Sequence, residues 1–251
     1  MNRLSALVVV HNEEAQLADC LERLTAADEL VVVLDKCSDG SKAIAQRFGA
    51  VLVEGSWEIE GPRRNAGIDA CSGTWILEVD ADERVPPALF DEIRTVIAGK
   101  DQGIYYAPFN NYVGKRLVRY GWGASFGKAW APCLFAKGCK VWGHQRLHPS
   151  LELTGPRAKL TTAIDHLVDR DAGDMIARLN SYSSARALDL RDSGKIGGLA
   201  NNLRRFVSRF IKCYVVRKGY REGYWGLLIS LCAGLYPLLS YIKARLLEPD
   251  A

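Results

Sequence analysis

Trp75-Ile76-Leu77-Glu78-Val79-Asp80-Ala81-Asp82-Glu83 is a short, mostly apolar run that ends abruptly in carboxylates. It reads as a strand buried on both faces, with Asp80-x-Asp82 on the tight turn beyond its C-terminal end. Apolar, β-branched runs of the same kind occur at Leu4–Val10, Leu30–Leu34 and Val51–Val53. Helical patterns fill the intervals. Leu17, Cys20, Leu21 and Leu24 recur at i, i+3, i+4 and i+7 behind Asn12, read as an N-cap, and Ser41 is read as the cap of a helix reaching Phe48. A third helix is expected over Pro62–Ala70, and a fourth opens at Pro86-Pro87 and carries Leu89, Ile93 and Ile97 inward. Buried strands separated by helices imply right-handed βαβ units. The fold class is therefore α/β, a Rossmann-like, mostly parallel sheet flanked by helices.

Ligands of such sheets bind beyond the carboxyl ends of the strands. There the chain presents His11-Asn12-Glu13 after the first run, Asp35-Lys36-Cys37-Ser38-Asp39-Gly40 after the second, and Asp80-Ala81-Asp82-Glu83 after the fourth. Hard carboxylate oxygens so placed suit Mg²⁺ or Mn²⁺ shared with substrate phosphates. The alternative is a solvated acidic turn, with Glu83 favoured by the dipole of the next helix. Arg63, Arg64 and Asn65 open a helix between two of these turns. The set thus combines cations and a metal site for a diphosphate with acceptors for a base N–H and ribose hydroxyls.

Four ordered blocks carry a resemblance: Val8-Val9-Val10-His11-Asn12-Glu13-Glu14, Leu34-Asp35-Lys36-Cys37-Ser38-Asp39-Gly40-Ser41, Arg63-Arg64-Asn65-Ala66-Gly67 and Leu77-Glu78-Val79-Asp80-Ala81-Asp82-Glu83. With them the chain resembles the family-2 glycosyltransferases of GT-A fold, and its Lys36-Cys37 and Asp-Ala-Asp-Glu forms resemble the bacterial subgroup that includes lipopolysaccharide-core glucosyltransferases. The resemblance implies an inverting, metal-dependent transfer from a nucleotide-sugar, UDP-hexose, to a lipid-linked or cell-envelope glycan. It implies nucleotide contacts from Asn12, Glu13, Asp35, Asp39 and Arg64, with Asp35 nearest the base. Asp80 would hold the ribose or a metal-bound water, Asp82 the metal, and His148 is a candidate third ligand. The chain is read as a GT-A transferase domain over 1–170, with a donor half over 1–100 and an acceptor half over 101–170, and a C-terminal helical membrane-associating extension over 171–251 of basic amphipathic helices and an apolar segment.

The second half departs from the family pattern. Ala131-Pro132-Cys133-Leu134-Phe135 lacks the Arg that often precedes Leu-Phe, and Leu147-His148-Pro149 lacks the Glu of the usual Val-His-Glu. The catalytic base is therefore open among Glu152, Asp165 and His166. His144 reads as an ordinary loop or core histidine, since Gly143 and Pro149 oppose a helical zinc site with His148. Trp122 is the candidate for stacking on an acceptor sugar. A catalytically degenerate nucleotide-sugar-binding adaptor stays open, as, less strongly, does an Asp-based phosphatase, although Arg84 stands where phosphatases usually carry Thr or Val. GxGxxG after the first strand and a GxxxxGK[ST] loop are both missing, which removes dinucleotide and P-loop enzymes.

The net charge of +4 over 251 residues conceals −8 in residues 1–100 and +12 in the remainder. Between Arg186 and Glu222 alone the net charge is +7. There Leu203, Phe206, Val207, Phe210 and Tyr214 share one helical face and Arg204, Arg205, Arg209 and Lys212 another. A nucleic acid partner is not expected, because no DNA or RNA motif accompanies the charge. Gly223–Ile242 follows without a charge but with Gly226, Gly234 and Pro237, and is expected to form a helical hairpin or an interfacial segment. The basic face fits an anionic membrane surface, and the expected location is the cytoplasmic face of the inner membrane, peripheral or re-entrant. Seven scattered cysteines without a CxxC pair read as reduced thiols, and the first apolar run, passing directly into His11, reads as a strand rather than a secretory leader.

Overall fold

In the computed structural model, which describes residues 2–123, 126–144 and 150–247, the four apolar runs are strands and the intervals are helices. The order is β1 (Leu4–Val10), α1 (Glu14–Glu22), β2 (Glu29–Asp35), α2 (Ser41–Arg47), β3 (Val51–Gly55), α3 (Glu60–Ala70) and β4 (Trp75–Asp80). These strands lie in the order β3-β2-β1-β4 and pair in parallel throughout. Leu4, Leu7, Val8, Val31, Val32 and Leu77 have no exposed surface, as a sheet covered on both faces requires. Helix α3 lies so close to the sheet that a Cβ on Gly67 would stand 2.5 Å from Leu7 Cδ1 and 2.6 Å from Val33 Cγ2. Only glycine permits that approach.

Two caps differ from the reading of the sequence. Glu13, not Asn12, occupies the N-cap of α1, and Asn12 sits at φ +58° with its Oδ1 accepting from the Ser38 amide at 2.8 Å. Gly40 caps α2, whereas Ser41 is buried in its first turn and accepts from the Glu13 amide at 3.0 Å. Both polar side chains are used to bind one strand-end loop to the next, a demand that outranks local capping.

The aperiodic middle of the chain is also β structure. After β5 (Glu83–Arg84) and α4 (Pro87–Ile97) come β6 (Ile104–Val113), β7 (Arg116–Leu117), β8 (Trp130–Ala136), β9 (Lys140–Trp142), β10 (Leu151–Leu153), β11 (Arg157–Lys159) and β12 (Ile164–Asp169). The sheet continues from β4 through β8, β6 and β12 to β5, and the β4–β8, β6–β8 and β12–β5 pairs are antiparallel. A separate two-stranded sheet joins β9 and β10.

The chain divides into two compact units. Residues 1–109 and 130–166 form the first, and residues 110–129 and 167–251 the second. The second contains α5 (Ala172–Asp192), α6 (Leu199–Ile211), a π-helical turn over Lys212–Val216, a 3-10 turn over Gly219–Glu222 and α7 (Tyr224–Leu246). The hairpin expected over Gly223–Ile242 is not formed, because α7 runs without a break through Pro237. Its glycines serve close packing instead of interruption. A Cβ on Gly226 would stand 1.8 Å from the Gly219 carbonyl oxygen, and one on Gly234 would stand 2.9 Å from that of Phe206. Glu222, almost fully buried, accepts from the Arg119 amide at 2.8 Å and the Tyr120 amide at 3.1 Å, holding the 3-10 turn to the 110–129 segment. All seven cysteines are free thiols, as their scatter in the sequence implied.

Candidate active site

The parallel order places the C-terminal ends of β2, β1 and β4 side by side, and the polar blocks of the sequence meet there. Asp35, the last residue of β2, is buried. Its Oδ2 accepts from Arg63 Nη1 at 2.9 Å and its Oδ1 from the Trp57 amide at 3.0 Å. Asp39 is half-buried and tied into the loop, its two oxygens accepting from the Ser41 and Glu14 amides at 3.0 and 2.9 Å. Burial opposes the charge, but the hydrogen bonds together outweigh it and hold the carboxyl below the usual range.

A buried ion network stands behind the turn. Arg64 donates from Nε to Glu60 at 2.8 Å, from Nη1 to Glu78 at 2.7 Å and from Nη2 to Asp80 at 2.9 Å. The other oxygen of Glu78 accepts from Lys140 Nζ at 2.6 Å and from Trp142 Nε1 at 3.3 Å. The Trp142 ring lies against both cations, 4.8 Å from Arg64 Cζ and 4.8 Å from Lys140 Nζ. Burial opposes the charge on Glu78, but Lys140 and Arg64 overcome it and hold the carboxyl below its ordinary range. Burial likewise opposes the charge on Arg64, yet Asp80, Glu78 and Glu60 keep its pKa well above ordinary. The guanidinium expected near a base or diphosphate is thus shared among three carboxylates, and it fixes Asp80. The sequence reading did not single out Glu78 or Lys140, and a Glu inside an apolar strand was the available signal.

Asp82 meets a partner from the far edge of the sheet. Antiparallel pairing of β12 with β5 sets His166 directly opposite Glu83 and Asp165 opposite Arg84. His166 Nε2 lies 3.3 Å from Asp82 Oδ2, and oxygens of Asp82 and Glu83 and a ring nitrogen of His166 lie within 4.8 Å of one another. The imidazole is buried and packs edge-on against Phe109 at 6.1 Å. Arg84 Nη1 donates to the Ala81 carbonyl at 2.8 Å, and Glu83 accepts from the Asp80 amide at 3.1 Å, so the turn is braced from both sides. Asp82 Oδ1 is buried and has no hydrogen-bond partner among the described residues. A buried carboxylate oxygen left in that state is costly unless a donor or cation completes it. Two carboxylates and one imidazole are a donor set that accepts Mg²⁺ or Mn²⁺.

Glu13 completes the acidic rim. Burial raises its carboxyl pKa, against a hydrogen bond from Gln16, and the charges of Asp82, Asp39 and Asp80 raise it further. The charges that raise Glu13 mark this rim as a ready locus for positive charge.

The remaining expectations fall elsewhere. His148 lies outside the described residues. Glu152 stands exposed on β10. Asp165 neighbours His166 on β12, so strand alternation turns it to the opposite face. His144 is exposed. Trp122 belongs to the second unit, where its Nε1 donates to the Val118 carbonyl at 2.6 Å and its ring closes over Gly127.

A parallel α/β sheet with carboxylates gathered at its strand ends defines a nucleotide-binding class of fold. Residues 5–141, more than half of the chain, match the model of glycosyl transferase family 2, and the chain belongs to that family. Its fold is accordingly GT-A, and the protein is a transferase. An uncharacterized glycosyltransferase of Rickettsia felis is 25% identical over 267 residues, covering 98% of this chain and 90% of that protein. LpsC of Rhizobium meliloti, a lipopolysaccharide core biosynthesis glycosyltransferase, is 26% identical over 275 residues, covering 96% and 91%. Among solved structures, glucosyl-3-phosphoglycerate synthase from Mycobacterium tuberculosis with Mg²⁺ and uridine diphosphate is 20% identical, with a TM-score of 0.37 over 44% of each chain.

Two predictions follow from the electrostatics. Glu78→Gln leaves Lys140 and part of Arg64 uncompensated in a buried site, at about 3–5 kcal/mol, so thermal unfolding should drop by on the order of 10 °C. The double variant Glu78→Gln/Lys140→Met, which restores the charge balance, should recover part of that loss. Glu13→Gln should raise the melting temperature at neutral pH, because the raised carboxyl pKa makes ionised Glu13 a cost to the folded state. That gain should fade as pH drops through the raised value toward the ordinary 4.5, where native and unfolded chains are both protonated; melting curves of both proteins between pH 4 and 8 check it.

Proposed function

We propose that this transferase is inverting and metal-dependent, and that it moves a sugar from a nucleotide-sugar donor, UDP-hexose, to a lipid-linked or cell-envelope glycan such as lipopolysaccharide core. The observation that carries the reading is the unpartnered, buried Oδ1 of Asp82 beside His166 and Glu83. Asp82, Glu83 and His166 would hold Mg²⁺ or Mn²⁺. When bound, that ion would neutralise charge building on a departing nucleoside diphosphate.

The protein's own residues do the rest. Asp35 and Glu13 supply acceptors for a nucleoside at the ends of β2 and β1, with Asn12 and Asp39 shaping the loop around it. Asp80, anchored by Arg64, is held in place for the ribose, and a group fixed before the substrate arrives costs no reorganisation during reaction. Arg64 in this reading is a positioning residue. LpsC, named for lipopolysaccharide core biosynthesis and aligned over nearly the whole chain, supports the envelope acceptor. The proposed location is the cytoplasmic face of a membrane, and the envelope acceptor and the basic C-terminal region support it.

The test is Asp82→Asn, with Mn²⁺-dependent UDP binding followed by calorimetry and sugar transfer followed on extracted envelope glycolipid. Both should fall by roughly 10²-fold or more, with thermal stability little changed because the carboxamide keeps the shape of the side chain while removing its charge. Undiminished metal-dependent transfer would sink the assignment.

A further inference from the structure

Helix α6 is packed on its flank. On α6 itself Asn202 is buried and Phe206, Arg209 and Phe210 are half-buried, the Phe206 ring lying close to Gly234 of α7 and the Arg209 guanidinium 5.9 Å from the ring of Tyr236. A second set of apolar side chains faces out. Leu199, Leu203, Val207, Ile211 and Val215 are 50%, 46%, 51%, 47% and 55% exposed. They recur every fourth residue through α6 and the π-helical turn and so form one continuous stripe. Two aromatics and an arginine of α6 go to packing, while four aliphatic side chains of the helix and a fifth on the following turn stay exposed.

Charge identifies what the stripe meets. Residues 199–221 carry Lys or Arg at 204, 205, 209, 212, 217, 218 and 221 and no acidic residue. Arg204, Lys212, Lys218 and Arg221 are exposed. Tyr224, 91% exposed, follows at the start of α7 and offers the amphipathic ring typical of an interface. Helix α7 is the one described helix long and apolar enough to cross a membrane, yet half of that span is buried inside the protein. Its apolar surface is largely spent on packing, whereas that of α6 is open.

We infer that the outward stripe of α6 and the following π-helical turn is an in-plane membrane-docking surface, Leu199, Leu203, Val207, Ile211 and Val215 entering the acyl boundary of an anionic bilayer while the flanking Arg and Lys side chains bind its headgroups. This deepens the reading of a membrane-surface transferase and rests on it. It assigns the contact to α6 and leaves α7 as a backing helix that does not span.

The full chain is tested by flotation with phosphatidylcholine vesicles with and without 30 mol% phosphatidylglycerol. Wild-type protein should float with the anionic vesicles and at least about tenfold less with the neutral ones or in 0.5 M salt. Leu203→Glu/Val207→Glu should lose anionic-vesicle binding by at least about tenfold, with the melting temperature and Mn²⁺-dependent UDP binding retained. Val207→Asp alone, at a position already exposed, should show a smaller loss in the same direction should the double variant not fold. Failure of wild-type protein to float, or flotation of the stripe variants equal to wild type, overturns the inference. So does a wild-type dimer in solution that the variants dissolve, since a second copy would then cover the stripe. UDP binding and transfer are read on the same samples, so loss of the transferase reading and loss of the docking surface are distinguished.

Discussion

Glu78 is buried within a strand that should, by its position, be wholly apolar. A carboxylate there is tolerable only because Lys140 and Arg64 reach it from β9 and α3, and because the Trp142 ring lies against both cations. Removing charge from water is expensive, so such a group persists where the partners are close and their remaining hydrogen bonds are met. The network joins α3, β4 and β9 into one frame. Asn65 strengthens it, exchanging two hydrogen bonds of 2.9 Å with the Trp142 backbone. The same arginine that stabilises Glu78 also grips Asp80, so the geometry at the end of β4 is inherited from the interior.

From that anchor the chain turns through Ala81 to Asp82, where the requirement reverses. Asp80 is satisfied from behind by Arg64, whereas Asp82 keeps one buried oxygen without a partner and faces an imidazole. The two carboxylates of one short motif are thereby given different duties by their surroundings. Asp80 is fixed, and Asp82 is available. Both lie beyond the carboxyl end of β4, the side of a parallel sheet where ligands generally bind.

Much of this was legible in residues 4–98. Four apolar runs and the helical patterns between them indicated the parallel half of the sheet, and the acidic strand ends named the carboxylates that the fold gathers. Long-range pairing was not legible. His166 reaches Glu83 only through the antiparallel register of β12 on β5, which no local pattern encodes, so the sequence placed His166 only among the candidate bases. Asn12 and Ser41 have capping chemistry, but their side chains were drawn into loop-to-loop hydrogen bonds. Gly226, Gly234 and Pro237 looked like breaks because propensity describes an isolated helix, whereas in α7 tertiary packing decides. The composition of α6 was read correctly as basic and amphipathic, but which side it would present was fixed by its neighbours.

The central claim is that His166 and Asp82, joined by sheet register, bind one divalent cation. Electron spin-echo modulation spectroscopy of the protein with Mn²⁺ and UDP tests it most directly, since a directly coordinated imidazole nitrogen imprints its own modulation. The account predicts nitrogen coupling in the wild type and its disappearance in His166→Ala. A bound Mn²⁺ without nitrogen coupling, or coupling that survives the substitution, would contradict it.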